Sequence, residues 1–539
     1  MNEPTPDATG SPERGASLSR GWMSAAAALI VAVALTSLYF FYSRGLSNLY
    51  GDGIAHMEGA RRLLDSLTPG YEEIGSVWLP LFHLVTAPLA LSDFLWRTGL
   101  GGSLISTAAL AGTAWFLFRL AMEIHRNVAA GVLALAGALL CPNFLYLAST
   151  PLTEPLAIFW AVLVVYGLFR YRETGRLRAL VGAALAALLG TLTRYDEWYV
   201  LPFAALFVLL AREESWVARA RHAIVFSLIA GAGPLLWILH NAYRFGNPLE
   251  FYNGRFSAQA IYAHQLATTA FPYPTDGSLV LSARYYLEDL KLVIGVWPLA
   301  LAVLGLVAWA ANQHERSRSA VALLFLVPLP FYLHALAYAA VPLYVPTLFP
   351  YTYYNLRYGL AMVPAVALLP SCLLSPRLPQ RLRHGLLLVF LVMLAGQAIS
   401  IAWAGARELA VVKESILNTP CRSKRQQAII RFFRDHYPAR RDQKVLMAVG
   451  KWPCVMPEVG IYFRNTLTDA NRKYWVRLRS QPERWAEWIV RGDGDAVDEL
   501  MRAYPQAFRN FELLMKETFP GEGGVAVYRR RALEHSGGP

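Results

Sequence analysis

About eleven runs of apolar residues, each long enough or nearly long enough to cross a bilayer, punctuate this chain: roughly 21–42, 101–118, 128–147, 155–169, 179–193, 198–211, 222–241, 291–311, 319–341, 356–374 and 385–404. A hydrocarbon core about 30 Å thick takes about 20 residues of helix. Inside it every backbone N–H and C=O needs an internal partner, so such runs must be helical. A polytopic α-helical membrane protein is therefore expected. Only 16% of the 539 residues are charged, and mean hydropathy is +0.34; soluble domains carry about 25% charged residues. The net charge of +13 would otherwise suggest a nucleic-acid partner. The Lys and Arg residues instead sit in short clusters between apolar runs, where they set topology, and no nucleic-acid motif accompanies them.

Those clusters orient the chain. The linkers Arg119–Arg126, Arg170–Arg178, Arg212–Arg221, Glu315–Arg318 and Arg377–Arg383 carry the Arg excess and are expected on the cytoplasmic side. The polar tail 1–20 is then cytoplasmic, and the first apolar run, which lacks a small-residue cleavage site, is an uncleaved anchor. If the run at about 79–97 also crossed, the Arg119–Arg126 linker would land outside and every later assignment would invert. It is expected to be re-entrant or interfacial, with Pro80 and Pro88 weakening a continuous helix. The opposite, outer face then collects Tyr50–Trp78, Ser149–Pro155, Arg194–Tyr199, a long loop from about Asn241 to Glu288, and Pro342–Asn355.

From about Ala406 the composition changes. RQQAIIRFFRDHY reads as an amphipathic helix, QKVLMAVG as a short strand, and PERWAEWIV, AVDELMRAY and GGVAVYRR as further alternating pieces. The division expected is a tail at 1–20, a membrane domain at 21–405 and a small outer-face α/β domain at 406–539. Cys421 and Cys454 fall in that last part and could bridge in an oxidising compartment, although two buried thiols would read the same way. Cys141 and Cys372 lie within apolar runs. The stretch GDGDAVDE lacks the ligand spacing of a calcium loop.

The most informative stretch follows the first apolar run, YGDGIAHMEGARRLLDSLTPGYEEIGSVWLPLFHLVTAP. Ile54, Met57, Ala60, Leu63 and Leu64 recur at helical spacing, with Glu58, Arg61, Arg62 and Asp65 on the other face. A helix lying flat on the bilayer is expected, with Asp52 at the membrane lip and His56 one turn on. The alternative is a solvated surface helix with a structural histidine. Glu154, Asp196 and Glu197 are further carboxylates at outer helix ends, where charge is costly unless solvated, paired or used. Glu154 would equally serve as a helix N-terminal carboxylate, and Arg194 would equally pair with Asp196 in a tight turn. Arg357 and Tyr358, in YYNLRYGLAMVP, could fork onto and donate to a phosphate, or form an interfacial anchor. Lys291 opens another run in the same manner.

Together GDGIAH, GSVWLPLFHLVTAPL, TPLTEPL, TRYDEW and LRYGLAMVP resemble, in order and sidedness, the GT-C superfamily of polyprenyl-phosphate-sugar-dependent glycosyltransferases, over roughly residues 20–400. The superfamily includes protein O-mannosyltransferases and the aminoarabinose transferase of lipid A. The resemblance implies that Asp52 is the general base, that Glu154 is the second acidic, catalytic residue of the site, and that Arg357 and Tyr358 engage the lipid-phosphate leaving group. The remaining candidates, His56, Arg194, Asp196, Glu197 and Lys291, would bind substrate. The sequence departs from the family where Asp52-Gly53 replaces an Asp-Glu pair and Arg194-Tyr195 replaces Lys-Gly. The WWDYG signature of oligosaccharyltransferases is absent.

The implied partners are a polyprenyl-phosphate-linked sugar donor held by membrane lipid contacts, and an acceptor glycan, lipid or protein. Metal-independent, inverting transfer is the favoured expectation, with a divalent ion between Asp52 and Glu154 the alternative. A transporter or lipid flippase is the competing class. It would place charges in mid-helix and commonly shows inverted repeats, whereas here the charges collect at helix ends and no repeat is evident.

Overall fold

The structure, a computed structural model, describes residues 12–531 except 270, 313–315, 317, 376, 439–441 and 449. Most of the tail assigned to the cytoplasm, residues 1–11, thus lies outside the described residues.

Among the described residues seven helical stretches are long and apolar enough to cross a membrane: Gly21–Ser43, Leu100–His125, Glu154–Thr174, Trp216–Phe245, Ala320–Tyr338, Leu356–Leu373 and Gln380–Ala402. An eighth is the bent pair Leu279–Val293 and Val296–Ala311, which turn through 114° at Gly295, where φ is +105°; only glycine holds that backbone without strain. Three of the other predicted runs form shorter helices. Leu177–Thr191 and Asp196–Leu210 have 15 residues each, and the run at 128–147 is broken at Cys141 into Val128–Leu139 and Pro142–Leu147. The Asn241–Glu288 loop carries helices that periodicity did not signal, Ala258–Thr269 and the first arm of the bent pair.

The Arg-rich linkers meet one another at one end of the bundle. Arg119 and Arg170 share Glu123 at 2.6 and 2.8 Å, Arg318 reaches Glu173 at 2.8 Å, and Arg212 donates to the Arg172 carbonyl at 2.8 Å. The opposite end carries the polar loops and the C-terminal domain.

Four helices organise that second end: α1 (Pro12–Ser43), α2 (Gly51–Arg62), α3 (Leu81–Ala90) and α4 (Asp93–Arg97). The run at 79–97 forms α3 and α4, and α3 is about 15 Å long by its residue count, half the hydrocarbon thickness. The expected amphipathic helix is present as α2, but it does not lie with one face in solvent. Ile54, Met57 and Ala60 are buried, and so are Glu58, Arg61 and Asp65. The polar face is covered because the C-terminal domain sits on it. Arg61 pairs with Asp65 and Asp93, both at 2.8 Å, and lies 4.3 Å above the Trp96 ring; Arg464 reaches Asp65 at 2.8 Å and Tyr462 donates to Asp93 at 2.8 Å. Ile54, Met57, Ala60 and Trp96 share one apolar core with Ile429, Phe433, Val455 and Trp488 of that domain.

The domain is a five-stranded mixed sheet in the order β2-β1-β3-β5-β4 (β1 Val445–Leu446, β2 Thr466–Leu467, β3 Trp488–Gly492, β4 Phe511–Phe519, β5 Gly523–Arg530). β1 pairs parallel with β2 and β3, and β5 pairs antiparallel with β3 and β4. Helix Lys424–His436 lies at its start, as its pattern indicates. Cys421 and Cys454 are disulfide-bonded. In GDGDAVDE the aspartates are already engaged: Asp495 accepts from Gly492 and Asp498 N–H, Asp493 from Gly524 N–H, and Asp498 pairs with Arg491 and Arg502. Helix Ala410–Asn418 follows the last spanning run and packs its Leu409–Val412 edge into the membrane core.

Candidate active site

The site is assembled where four chain segments meet at the domain-bearing end of the bundle. Asp52 lies in the first turn of α2, Glu154 is the first residue of its spanning helix, Arg194 and Asp196 form the turn between two short helices, and Arg357 opens the late spanning run. Arg357 ties them together. Its Nη2 donates to Asp52, and its Nε lies 3.0 Å from Glu154 Oε1. Glu154 Oε1 also accepts from Arg194 Nη1 at 2.9 Å, and Arg194 Nε meets both oxygens of Asp196 at 3.2 and 3.3 Å. Two guanidinium groups and three carboxylates thus form one continuous network. The turn pairing of Arg194 with Asp196 is present, but it is one link of a longer chain.

Exposure separates the two principal carboxylates. The Glu154 side chain is 6% exposed and the Asp52 side chain 45%. Burial works to raise the Asp52 pKa, and Arg357, with a smaller push from His56, outweighs it and holds the carboxyl below its ordinary value. Asp52 is thus ionised and reachable, whereas Glu154 is buried between two arginines. Glu154 Oε2 and Arg357 Nε are buried without an aligned hydrogen-bond partner.

Aromatic rings shape the remainder. Tyr358 lies 5.8 Å from each guanidinium carbon and stacks on Tyr332 at 5.0 Å. Tyr332, which sequence reasoning did not single out, accepts from Arg194 at 3.2 Å and donates to Asp196 at 3.0 Å. Its only signal was a hydroxyl inside an apolar run. His56 turns to His83, with Nδ1 and Nε2 2.9 Å apart, and lies against Trp78, whose ring centre is 4.6 Å away. Burial lowers the His56 pKa to about 4, so it is a neutral imidazole near neutral pH. Glu197 is buried beside Gly190 and lines an apolar crevice with Ala157, Ile158, Val165, Val200, Leu324 and Phe325, which opens beside Glu154, Arg194, Asp196 and Tyr332. Lys291 is not brought into this network: its ammonium pairs with Glu288 one turn back, at 2.5 Å.

Among the described residues no three His, Cys, Asp or Glu side chains gather as a metal-binding group. The donor set at Asp52 and Glu154 is also a poor one for a cation, because Arg357 already lies between the two carboxylates.

An accessible carboxylate in the segment after the first spanning helix, a basic end of a late spanning helix facing it and a small sheet domain packed on α2 together make up this end of the molecule. The chain is similar in fold to two solved structures of ArnT from Cupriavidus metallidurans. The first, bound to undecaprenyl phosphate, has a TM-score of 0.58 and 13% identity and covers 95% of this chain and 99% of that one. The second, in the apo state, has a TM-score of 0.53 and 14% identity and covers 95% and 98%. No family model and no curated protein matches the sequence. At such identities the likeness establishes the fold, including the small sheet domain at its end.

Proposed function

We propose that this chain is a membrane glycosyltransferase that moves a monosaccharide from a polyprenyl-phosphate donor to an acceptor hydroxyl at the outer face of the plasma membrane, with inversion and with Asp52 as general base. The N-terminus is cytoplasmic and the C-terminal domain periplasmic or extracellular, which the Cys421–Cys454 disulfide supports. The observation that carries the reading is Arg357 held between Asp52 and Glu154, residues 305 and about 200 positions away in the chain.

A donor phosphate entering this network competes for Arg357, which can fork onto two phosphate oxygens. As Arg357 turns towards phosphate it leaves Asp52, and the carboxylate becomes a stronger base when the acceptor is in place. The acceptor oxygen then attacks the anomeric carbon. The new C–O bond forms while the bond from that carbon to the phosphate oxygen breaks, the electron pair departs with polyprenyl phosphate, and the acceptor proton passes to Asp52. Base assistance of this kind is worth roughly 10²–10⁴-fold, and Arg357 offsets the charge accumulating on the leaving phosphate. That an ArnT structure of similar fold is bound to undecaprenyl phosphate supports a donor of this class. The acceptor is a glycan, a lipid or a protein hydroxyl.

The test is sugar transfer by purified protein from a panel of short-chain polyprenyl-phosphate monosaccharides, comparing wild type with Asp52→Asn. Acceptor-dependent release of polyprenyl phosphate, reduced at least 10²-fold in the variant, is the expected result. A variant as fast as wild type would remove Asp52 from the role of base, and donors that neither react nor bind would sink the transferase reading.

A further inference from the structure

Arg357 points correctly only if the backbone just before it is held. Its helical turn starts at Asn355, whose φ of +60° lies in the left-handed region, a conformation asparagine tolerates but does not hold by itself. The hold comes from a segment beyond the last spanning helix. Glu414, 2% exposed, accepts the Asn355 N–H on Oε1 at 2.8 Å and the Leu356 N–H on Oε2 at 2.9 Å. The same short helix, Ala410–Asn418, presents the Val411 carbonyl to the Tyr50 hydroxyl at 2.9 Å, and Tyr50 stands immediately before α2, two residues ahead of Asp52. Asn143 and Tyr146 fix this helix in turn, Asn143 accepting from Val411 N–H at 3.2 Å and Tyr146 bonding Ser415 at 2.8 Å. On the far side of the turn, Tyr286 donates to the Tyr358 carbonyl at 3.2 Å, and a Cβ at Gly359 would stand 2.8 Å from Asp289.

We propose that Glu414 is a positioning residue that sets Arg357 in register with Asp52, so that the leaving-group cation and the base are presented by one rigid helix outside the spanning bundle. It touches neither sugar nor phosphate; it acts through the turn. A buried carboxylate is an expensive way to satisfy two amides, and it fixes both N–H groups on one rigid planar group. This inference rests on the function proposed above.

The experiment uses the full chain in detergent as wild type, Glu414→Gln and Glu414→Asp, with three readouts: kcat and donor KM for sugar transfer, binding of a short-chain polyprenyl phosphate, and Tm. Glu414→Gln keeps one acceptor oxygen but sets an amide NH₂ against the other backbone N–H. With Tm largely kept, kcat is expected to fall about 10²-fold, as misplacement of a reacting group by about 1 Å does, with polyprenyl phosphate binding weakened about tenfold, and Glu414→Asp intermediate. A Glu414→Gln protein that melts earlier yet keeps wild-type kcat and KM in its folded fraction would make Glu414 merely structural and overturn the proposal. Should Glu414→Gln fail to accumulate, Glu414→Asp decides, and a kcat within twofold of wild type overturns it. If wild type transfers no sugar from any donor, the reading of the site fails separately; phosphate binding then judges Glu414, and equal affinity in wild type and variant overturns its role.

Discussion

Replacing Arg357 by lysine keeps the charge and removes the geometry, and so asks whether the fork or merely the cation matters. In the wild-type protein one guanidinium serves three neighbours: Nη2 donates to Asp52 and lies 3.4 Å from Asn355 Oδ1, and Nε stands 3.0 Å from Glu154. Its plane also rests 5.2 Å from the Tyr50 ring. A lysine ammonium is a point donor that cannot reproduce the planar fork with which one guanidinium meets Asp52 and Glu154 from separate nitrogens. At least one charge-assisted contact is lost, worth about 1.5–3 kcal/mol, which converts to roughly 10–150-fold in kcat/KM. Because the lost contact is the one proposed to pass to the leaving phosphate, the deficit is expected mainly in kcat. Steady-state transfer at several donor concentrations, with polyprenyl phosphate binding measured alongside, separates the terms. An Arg357→Lys enzyme within about threefold of wild type in kcat would show that a point charge suffices, and the bidentate argument would be refuted.

Two further outcomes follow from the geometry. The folded protein keeps His56 neutral down to about pH 4, whereas the unfolded chain takes up a proton near 6.5; the stability is fully present above pH 6.5 and is lost as pH falls towards 4, by about 3 kcal/mol in all. Melting followed from pH 7 to 4.5 should therefore show a shallower acid slope in His56→Gln than in wild type, and parallel slopes would contradict the assignment. Cys421 and Cys454 are 33 residues apart and join the start of the C-terminal domain to the core it shares with α2. Their double replacement by serine should cost about 3–4 kcal/mol, read as a lower Tm that added reductant no longer changes; a wild-type Tm would refute this.

The legible parts of this molecule were those with a period or an order. Apolar runs of about 20 residues announced the long apolar helices, and the run at 79–97, for which the charge of the linkers argued against a crossing, is divided by the structure into two short helices. The order of the acidic and Arg-Tyr elements brought Asp52, Glu154, Arg194, Asp196 and Arg357 into a single candidate list before any contact was known. The illegible parts were those whose partners are distant in sequence. The polar face of α2 read as solvent-facing because nothing local says that Tyr462 and Arg464 will cover it. Glu414 sits in LAVVKESIL, a segment with no motif, and only the fold delivers it to Asn355. Lys291 shows the opposite error: a basic residue at a helix end looked available, yet Glu288 three positions earlier satisfies it.

The same arrangement bears on the choice between transferase and transporter. A transport site is expected near the bilayer midplane, between elements that rock against each other. Here the charged network lies at helix ends, and its members are tied to elements that a rocking motion would have to tear apart: α2 is held through Arg61 and Arg464 to the C-terminal domain, and the Arg357 turn through Glu414 to the helix beside it. A site locked on two sides is suited to holding reacting groups at fixed distances, since catalysis gains most from geometry already paid for in the folded state. Exposure distinguishes the two carboxylates: Glu154 is buried between the arginines, and Asp52 is half-exposed.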